Sequence, residues 1–278
     1  MNRARKLFLA LRAAAQSQED VRSLAVYSRE AVGRHIISYG FYELGQLHEL
    51  LNIFNELKIN TQSGTMIDIG ANVGNHSVFL SKFFRQIIAI EPHPRNFLLL
   101  QANSMLAENI IPINTALGSA IGSANLSYSE DNMGAGSIAN NIGLKSVTVP
   151  VNTLDNEIQL HDVQSIEFMK LDVEGFEYEV LKGAVGVIEK HKPAIAIEVL
   201  SDEITDGQSS TLNYLRDLNY SRFFAIEPVR KHPIKKMIAD FLNPYSHERC
   251  SAIDISEKVS NLEKKPYHMI VAVHNTRT

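Results

Sequence analysis

An aspartate inside an apolar run, two glycines four residues apart and a glutamate one strand later form the densest chemical pattern in this chain. Met66-Ile-Asp-Ile-Gly-Ala-Asn-Val-Gly-Asn-His-Ser-Val-Phe-Leu80 reads as a buried strand that stops at a glycine turn and restarts as a helix. Gly70 and Gly74 leave backbone without side chains, so a ligand can approach the turn closely. The helix opening near Asn75 would aim free N–H groups at a negative part of that ligand. Gln86-Ile-Ile-Ala-Ile90 is a second short buried run, ending on Glu91. Asp68 and Glu91 stand 23 positions apart (91 − 68), the span of one strand–helix–strand step. A carboxylate at that place accepts hydrogen bonds from both hydroxyls of a ribose.

The glycine spacing is Gly-x-x-x-Gly with Asn72 between, not the Gly-x-Gly-x-x-Gly that cradles a pyrophosphate. It suits a ligand with adenosine at one end and an amino-acid carboxylate at the other, a description that S-adenosylmethionine meets. A nicotinamide-dependent oxidoreductase shares the strand–glycine–helix–acid layout. Tyr178 and Lys182, at i and i+4, imitate the tyrosine–lysine pair of such enzymes, but their place just after Asp172-Val-Glu-Gly175 favours a helix-surface pair. A subunit that binds the cofactor without turnover is the third reading these residues leave open.

Such residues need a sheet to hold them. From Met66 strands and helices alternate: strand 66–69, helix 76–84, strand 87–91, a helix opening at Pro94, and strand 110–113. The fixed φ of Pro94 suits a first helical turn, and that helix is expected to bury Phe97, Leu98, Met105 and Leu106. Strand 166–171 ends at Asp172; helix 176–190, strand 194–198, helix 209–218 and strands 221–226 and 268–273 complete the series. This rhythm predicts a parallel, doubly wound sheet with helices on both faces. Residues 1–60 read as a helical extension, with Val21, Leu24, Ala25, Ser28, Val32 and Ile36 near helical spacing, then Leu44, Leu47, Leu50, Leu51, Phe54 and Leu57. Residues 61–278 are the main domain, with a β-rich excursion over 116–150 and an insertion over 227–267. The insertion carries Arg230-Lys-His-Pro-Ile-Lys-Lys236, read either as a solvated basic helix start or as a lid over an acidic substrate.

With 278 residues and 45% hydrophobic content, the chain can bury one large core. A net charge of −4 supplies no basic field, so nucleic acid is not an expected partner. One cysteine, Cys250, excludes an internal disulfide and suits a reducing, cytoplasmic setting. Arg3, Arg5 and Lys6 precede Leu7–Leu11, but Arg12 cuts that apolar run too short for a signal sequence or a membrane span. A basic amphipathic helix is expected there, packed on the domain or touching a membrane surface. A homodimer through the helical extension stays open.

At Asp68-Ile-Gly-Ala-Asn-Val-Gly74, Glu91-Pro-His-Pro94 and Lys170-Leu-Asp-Val-Glu-Gly175 the chain resembles the FkbM-type S-adenosylmethionine-dependent methyltransferases. Thr115-Ala-Leu-Gly118, Val151-Asn-Thr-Leu-Asp155, Val180-Leu-Lys-Gly183 and Lys192-Pro-Ala-Ile-Ala-Ile-Glu198 extend the match. The resemblance implies an α/β class I methyltransferase fold (Rossmann-like), with a seven-stranded, mostly parallel sheet whose last strand is antiparallel. It also implies methyl transfer, usually to an oxygen, with a sugar hydroxyl of a surface glycan or a small metabolite as acceptor. The cofactor would lie against Asp68, Gly70, Ala71, Asn72, Gly74, Asn75, Glu91, Pro92 and Asp172.

Asp68 either contacts the methionyl amine or orders the turn. Asp172 either orients the acceptor hydroxyl or contacts that amine. Glu174 points the same way if its turn stays extended, and two carboxylates so close split their pKa values, leaving one more basic, as a general base requires. Its alternative is to satisfy helix N-terminal N–H groups. His76 and His93 leave strand ends on the ligand side and could accept a proton; a structural or cofactor-edge place is the plainer reading of each. Asp172, Glu174 and Glu198 raise the question of Mg²⁺. Without tight ligand spacing or a His/Cys cluster, no metal is expected.

Overall fold

The computed structural model describes residues 23–129, 132–138, 145–229 and 249–277; the basic N-terminal segment and Arg230–Lys236 lie outside these. The described chain enters through helices α1 (Ala31–Tyr39) and α2 (Leu44–Glu56). It then alternates β1 (Thr65–Ile69), α3 (Asn75–Leu80), β2 (Gln86–Ile90), α4 (Pro94–Ser104) and β3 (Ile110–Ile113). Next come β4 (Ala116–Leu117), β5 (Gly122–Ser129), β6 (Asn132–Ser137) and β7 (Lys145–Asn152). The alternation resumes with α5 (Leu154–Ile158), β8 (Ile166–Leu171), α6 (Glu177–Lys182), α7 (Val185–His191), β9 (Ala194–Val199) and α8 (Ser210–Asp217). Strands β10 (Tyr220–Pro228), β11 (Cys250–Asp254) and β12 (Tyr267–His274) follow.

Eight strands form the central sheet in the order β11-β10-β12-β9-β8-β1-β2-β3. Strands β3, β2, β1, β8 and β9 are parallel, and β12 runs against both β9 and β10. This is the class I methyltransferase arrangement, with one strand more than the seven expected. The additional strand is β11, inside the stretch read as an insertion. It pairs antiparallel with five residues of β10, and its Ala252 N–H donates to Glu49 Oε1 of α2 at 2.8 Å. It covers the open ladder edge that β10 would otherwise present.

The sheet is buried on both faces, which is why its parallel strands read as unbroken apolar runs. Side chains alternate across β1: Ile67 and Ile69 join Met169, Leu171, Leu181, Ile195 and Leu212 on one side. On the other side Met66 packs with Leu50 and Phe54 of α2, Val78, Ile87, Leu100 and Phe168. Phe54 and Phe168 meet edge to face, 4.8 Å between ring centroids. A second, four-stranded sheet, β4-β7-β5-β6, stands apart from the main one. No helix among the described residues is long and apolar enough to cross a membrane.

Three local expectations change. Leu98 and Met105 are exposed, at 63% and 86%, and α4 instead buries Asn96, Leu100, Asn103 and Ser104. The polar face wins because Asn103 is a clasp: its amide donates to the carbonyls of Val73 (2.6 Å) and Ala25 (2.9 Å) and accepts from Ala25 N–H (2.7 Å). Residues 24–28, read as helical, precede α1 in non-helical conformation, held by that clasp. The single helix read over 176–190 is two, α6 and α7, parted at Gly183, where a Cβ would come 2.0 Å from the Gly118 carbonyl oxygen.

Candidate functional site

The turn after β1 is the floor of the site. Gly70, Asn72 and Gly74 have φ of +78°, +51° and +83°, three left-handed residues in five. At Gly70 glycine is compulsory on two counts, because an added Cβ would also lie 1.8 Å from the Asp172 carbonyl oxygen. Gly70→Ala is expected to destabilise the fold by about 1–3 kcal/mol through backbone strain and a similar amount by forcing β1 and β8 apart. Thermal melting measures this, and an unchanged Tm would contradict the geometry. Gly70 and Ala71 N–H both donate to the Ile90 carbonyl, at 2.9 and 3.0 Å, which pins the turn to the end of β2.

Glu91 stands at that end and is only 6% exposed. Its carboxylate accepts from Asn72 N–H at 2.9 Å, from His93 N–H at 2.8 Å and from the Asn96 amide. Burial nevertheless pushes its pKa up to about 7, since those donors only partly replace water. His93 is the N-cap of α4: Nδ1 accepts from Arg95 N–H at 3.3 Å, and the ring meets Tyr128 edge to face. Burial, with Arg95 nearby, lowers the His93 pKa.

One and two strands further along the sheet, on β1 and β8, lies a group of charges. Lys170, 5% exposed inside β8, donates to Asp172 Oδ2 at 2.9 Å and stands 3.9 Å from Asp68 Oδ1. Burial works against both charges of the Lys170–Asp172 pair, yet mutual attraction prevails, so Lys170 is raised and Asp172 lowered. Asp68 is fully buried, and its Oδ2 accepts from Ser77 Oγ at 2.6 Å, so it orders the start of α3.

Glu174 adopts φ +54°, so its turn is not extended as expected. Its carboxylate still comes near Asp172 and Glu198, with one oxygen of each residue within 4.8 Å of the others. Burial first, then Asp172 and Glu198, push Glu174 up to about 7, so the two neighbouring acids of this loop do split. Glu177 braces the loop itself: its Oε1 accepts from Val173 N–H (3.0 Å) and Gly175 N–H (3.3 Å).

A cavity of about 300 Å³ joins these groups. Of the residues singled out in the sequence, Gly70, Ala71, Asn72, Asn75, His76, Glu91, Pro92, His93, Asp172 and Glu174 line it. Asp68 and Gly74 do not; they support the floor from beneath. Asn75 also anchors the roof, bonding Tyr42 N–H and C=O at 2.9 and 3.0 Å. His76 Nε2 lies 3.3 Å from Glu43 Oε2.

Several lining residues went unnoticed in the sequence. Tyr42 and Glu43 come from the loop between α1 and α2, Leu126 from β5, Ile138 from just past β6, and His268 from β12. No local motif marks them. Burial, then Glu43, Asp172, Glu198 and Glu174, push the Tyr42 hydroxyl up to about 12. Tyr178 and Lys182 form a surface pair on α6, the ammonium 4.8 Å above the ring and ion-paired to Glu179.

Comparison with known proteins places the chain in a family. The model of the methyltransferase FkbM domain matches residues 68–222. The hexuronic acid methyltransferase AglP of Haloferax volcanii is 30% identical over 123 residues, 44% of this chain and 50% of that protein. The match thus spans half the length of this curated relative. Among solved structures, methyltransferase FkbM from Methylobacillus flagellatus KT is similar at 17% identity and TM-score 0.40, covering 96% of this chain and 59% of that one. Precorrin-6y C5,15-methyltransferase from Geobacter metallireducens GS-15 is similar at 13% identity and TM-score 0.44, covering 82% and 88%. With a family match over more than half of its length, the chain belongs to the FkbM methyltransferase family.

Proposed function

We propose that this chain methylates a hydroxyl oxygen, on a sugar of a glycan or on a small metabolite. The observation that carries the reading is one continuous cavity. It runs from Glu91 at the end of β2, across the Gly70 turn, to Asp172 and Glu198 at the ends of β8 and β9. That is the carboxyl edge where open α/β sheets bind their ligands. The Haloferax relative is a hexuronic acid methyltransferase, which supports a sugar acceptor.

The residues suit S-adenosylmethionine. Asn72 Oδ1 and His93 Nε2 are buried polar atoms without a hydrogen-bond partner among the described residues, and both residues line the cavity. Apolar Leu117, Leu126 and Ile138 line it as well, a surface fit for a flat base. In this reading Glu91 takes the ribose hydroxyls, with Pro92 and His93 beside the base. Gly70, Ala71 and Asn72 give the methionyl part close backbone approach, with Asn75 at its edge. Asp68 and Gly74 hold that turn in shape.

When bound, the sulfonium supplies an activated methyl group. The chain's task is therefore mainly alignment, worth up to roughly 7–11 kcal/mol in favourable intramolecular cases. Asp172 and Glu174 would position the acceptor hydroxyl. His76, tied to Glu43, would shape that end. Incubation of the full chain with methyl-labelled S-adenosylmethionine and surface-glycan or metabolite extracts tests the proposal. Label is expected in an alkali-stable ether, and label confined to nitrogen or carbon would overturn oxygen as the target. A glycan or small-molecule partner, without nucleic acid and with at most peripheral membrane contact, belongs to the same proposal, as does a cytoplasmic location. Dimerisation through the N-terminal helices is left to a sedimentation measurement.

A further inference from the structure

We infer that His268, oriented by Glu198, accepts the proton of the acceptor hydroxyl. The inference rests on the oxygen-methylation reading and adds a catalytic pair to it. Strand β12 runs antiparallel to β9, so its first residues reach the edge where β9 and β8 end. In sheet order His268, Glu198, Asp172, Gly70 and Glu91 follow one another on adjacent strands. Strands lie about 4.8 Å apart, so His268 is roughly 19 Å from the Glu91 strand end, on the side of the Gly70 turn away from the nucleoside.

The backbone there is irregular. Tyr267 pairs with Val199 but Ile270 with Ile197, one residue more on β12 than on β9. Bulges of this kind occur beside active sites and re-aim a side chain. Here the bulge holds His268, whose Nδ1 lies 3.1 Å from Glu198 Oε1. The carboxylate is well covered, 15% exposed, whereas the imidazole is 60% exposed and lines the cavity. A carboxylate acceptor fixes the proton on Nδ1 and leaves the Nε2 lone pair free to take another, the division of labour of carboxylate–histidine pairs. Among the described residues no partner holds Nε2.

Competing bases are less suited. Asp172 is held ionised and weakly basic by Lys170, His76 is engaged with Glu43 and His93 caps a helix beside Glu91. Glu174 is the rival, and the test separates it. The hydrogen bond that His268 donates to Glu198 raises its pKa against the effect of burial, and Glu43 and Asp172 add to the rise. In the step itself, the hydroxyl proton passes to His268 Nε2 as the oxygen bonds to the methyl carbon, and the electron pair of the breaking C–S bond stays on sulfur. The exposed imidazolium then returns its proton to solvent.

The experiment uses the full chain loaded with S-adenosylhomocysteine. Long-range ¹⁵N NMR is expected to find neutral His268 protonated on Nδ1, with a pKa above 6.5 that drops in Glu198→Gln. In parallel, transfer of labelled methyl to methyl glycosides of glucose, mannose and glucuronic acid is followed between pH 6 and 9. The wild-type rate is expected to rise along one limb. His268→Gln should erase that limb and lower kcat by about 10²- to 10⁴-fold, with the S-adenosylhomocysteine Kd unchanged. Glu174→Gln should keep the limb. A proton on Nε2, a His268 pKa indifferent to Glu198→Gln, or a limb that survives His268→Gln and vanishes in Glu174→Gln overturns the assignment. If no glycoside takes label, the NMR result still decides the pair. Failure of wild-type protein to bind S-adenosylhomocysteine would instead strike the functional reading.

Discussion

Glu91→Ala is expected to abolish measurable cofactor binding. Two ribose hydroxyls would lose a charged acceptor, and hydrogen bonds to charged groups contribute about 1.5–3 kcal/mol each, so the Kd should rise on the order of 10²- to 10⁴-fold. The substitution also frees Asn72 N–H and His93 N–H, the two backbone donors that the carboxylate holds. Glu91→Gln keeps the shape but turns an amide NH₂ toward one of those donors, and should bind at an intermediate level. Titration calorimetry against S-adenosylmethionine measures both variants; wild-type affinity in Glu91→Ala would remove the ribose assignment.

The same carboxylate gives the binding a pH signature. Its pKa in the free protein is about 7, and hydroxyl donors from a ligand favour the ionised form. Association should therefore release protons at pH 6 and weaken as pH falls below 7, by at most about tenfold per unit. Calorimetry at pH 6 in two buffers of different ionisation enthalpy reads this directly. For the unliganded fold the sign is opposite to that of a salt-bridged acid. Glu91, Glu174 and Glu177 all sit near 7 against an unfolded value of 4.5. The native state thus binds more protons than the unfolded chain between those pH values, and stability falls as pH rises through that window, then levels off.

Lys170→Met should produce a large loss of stability. It strips the ammonium that lies 2.9 Å from Asp172 Oδ2 and 3.9 Å from Asp68 Oδ1. Breaking a buried pair in this way costs about 3–5 kcal/mol, or roughly 6–20 °C in Tm for a chain of this size. Asp172 has a lowered pKa, so its contribution is full above 3.8 and lost as pH falls through its folded value. Lys170 has a raised pKa, so its share is present below 10.5 and lost as pH rises through its folded value. The deficit of the variant should be greatest at neutral pH and shrink in acid. Lys170→Met with Asp172→Asn should recover part of it. A single variant melting within a degree of wild type at pH 7 would show that the pair is not what holds this edge.

What could be seen in the sequence follows the range of the interactions. Gly70, Asn72, Gly74 and Glu91 belong to one strand–turn–helix–strand unit, whose chemistry is written in consecutive residues. The paired acids of the Asp172–Glu174 loop were visible for the same reason. Glu43 and His268 could not be found that way, because one arrives by packing of an N-terminal loop and the other by a bulge 70 residues after its partner Glu198. Leu98 and Met105 misled because the inner face of α4 is set by amide hydrogen bonds instead of hydrophobicity. Strand β11 was missed for want of a strong pattern: Cys250-Ser-Ala-Ile-Asp254 is short and half exposed.

The Asn103 clasp makes the fold sensitive at a place remote from any reacting group. One amide side chain spans from Ala25 to Val73, the residue just before Gly74. Shortened expression clones that begin after residue 25 would sever this tether, leave a buried amide half satisfied and slacken the glycine turn. Protease nicking between residues 23 and 30 should weaken nucleoside affinity in the same way while the sheet stays folded, and bound ligand should in return shield that stretch from cutting.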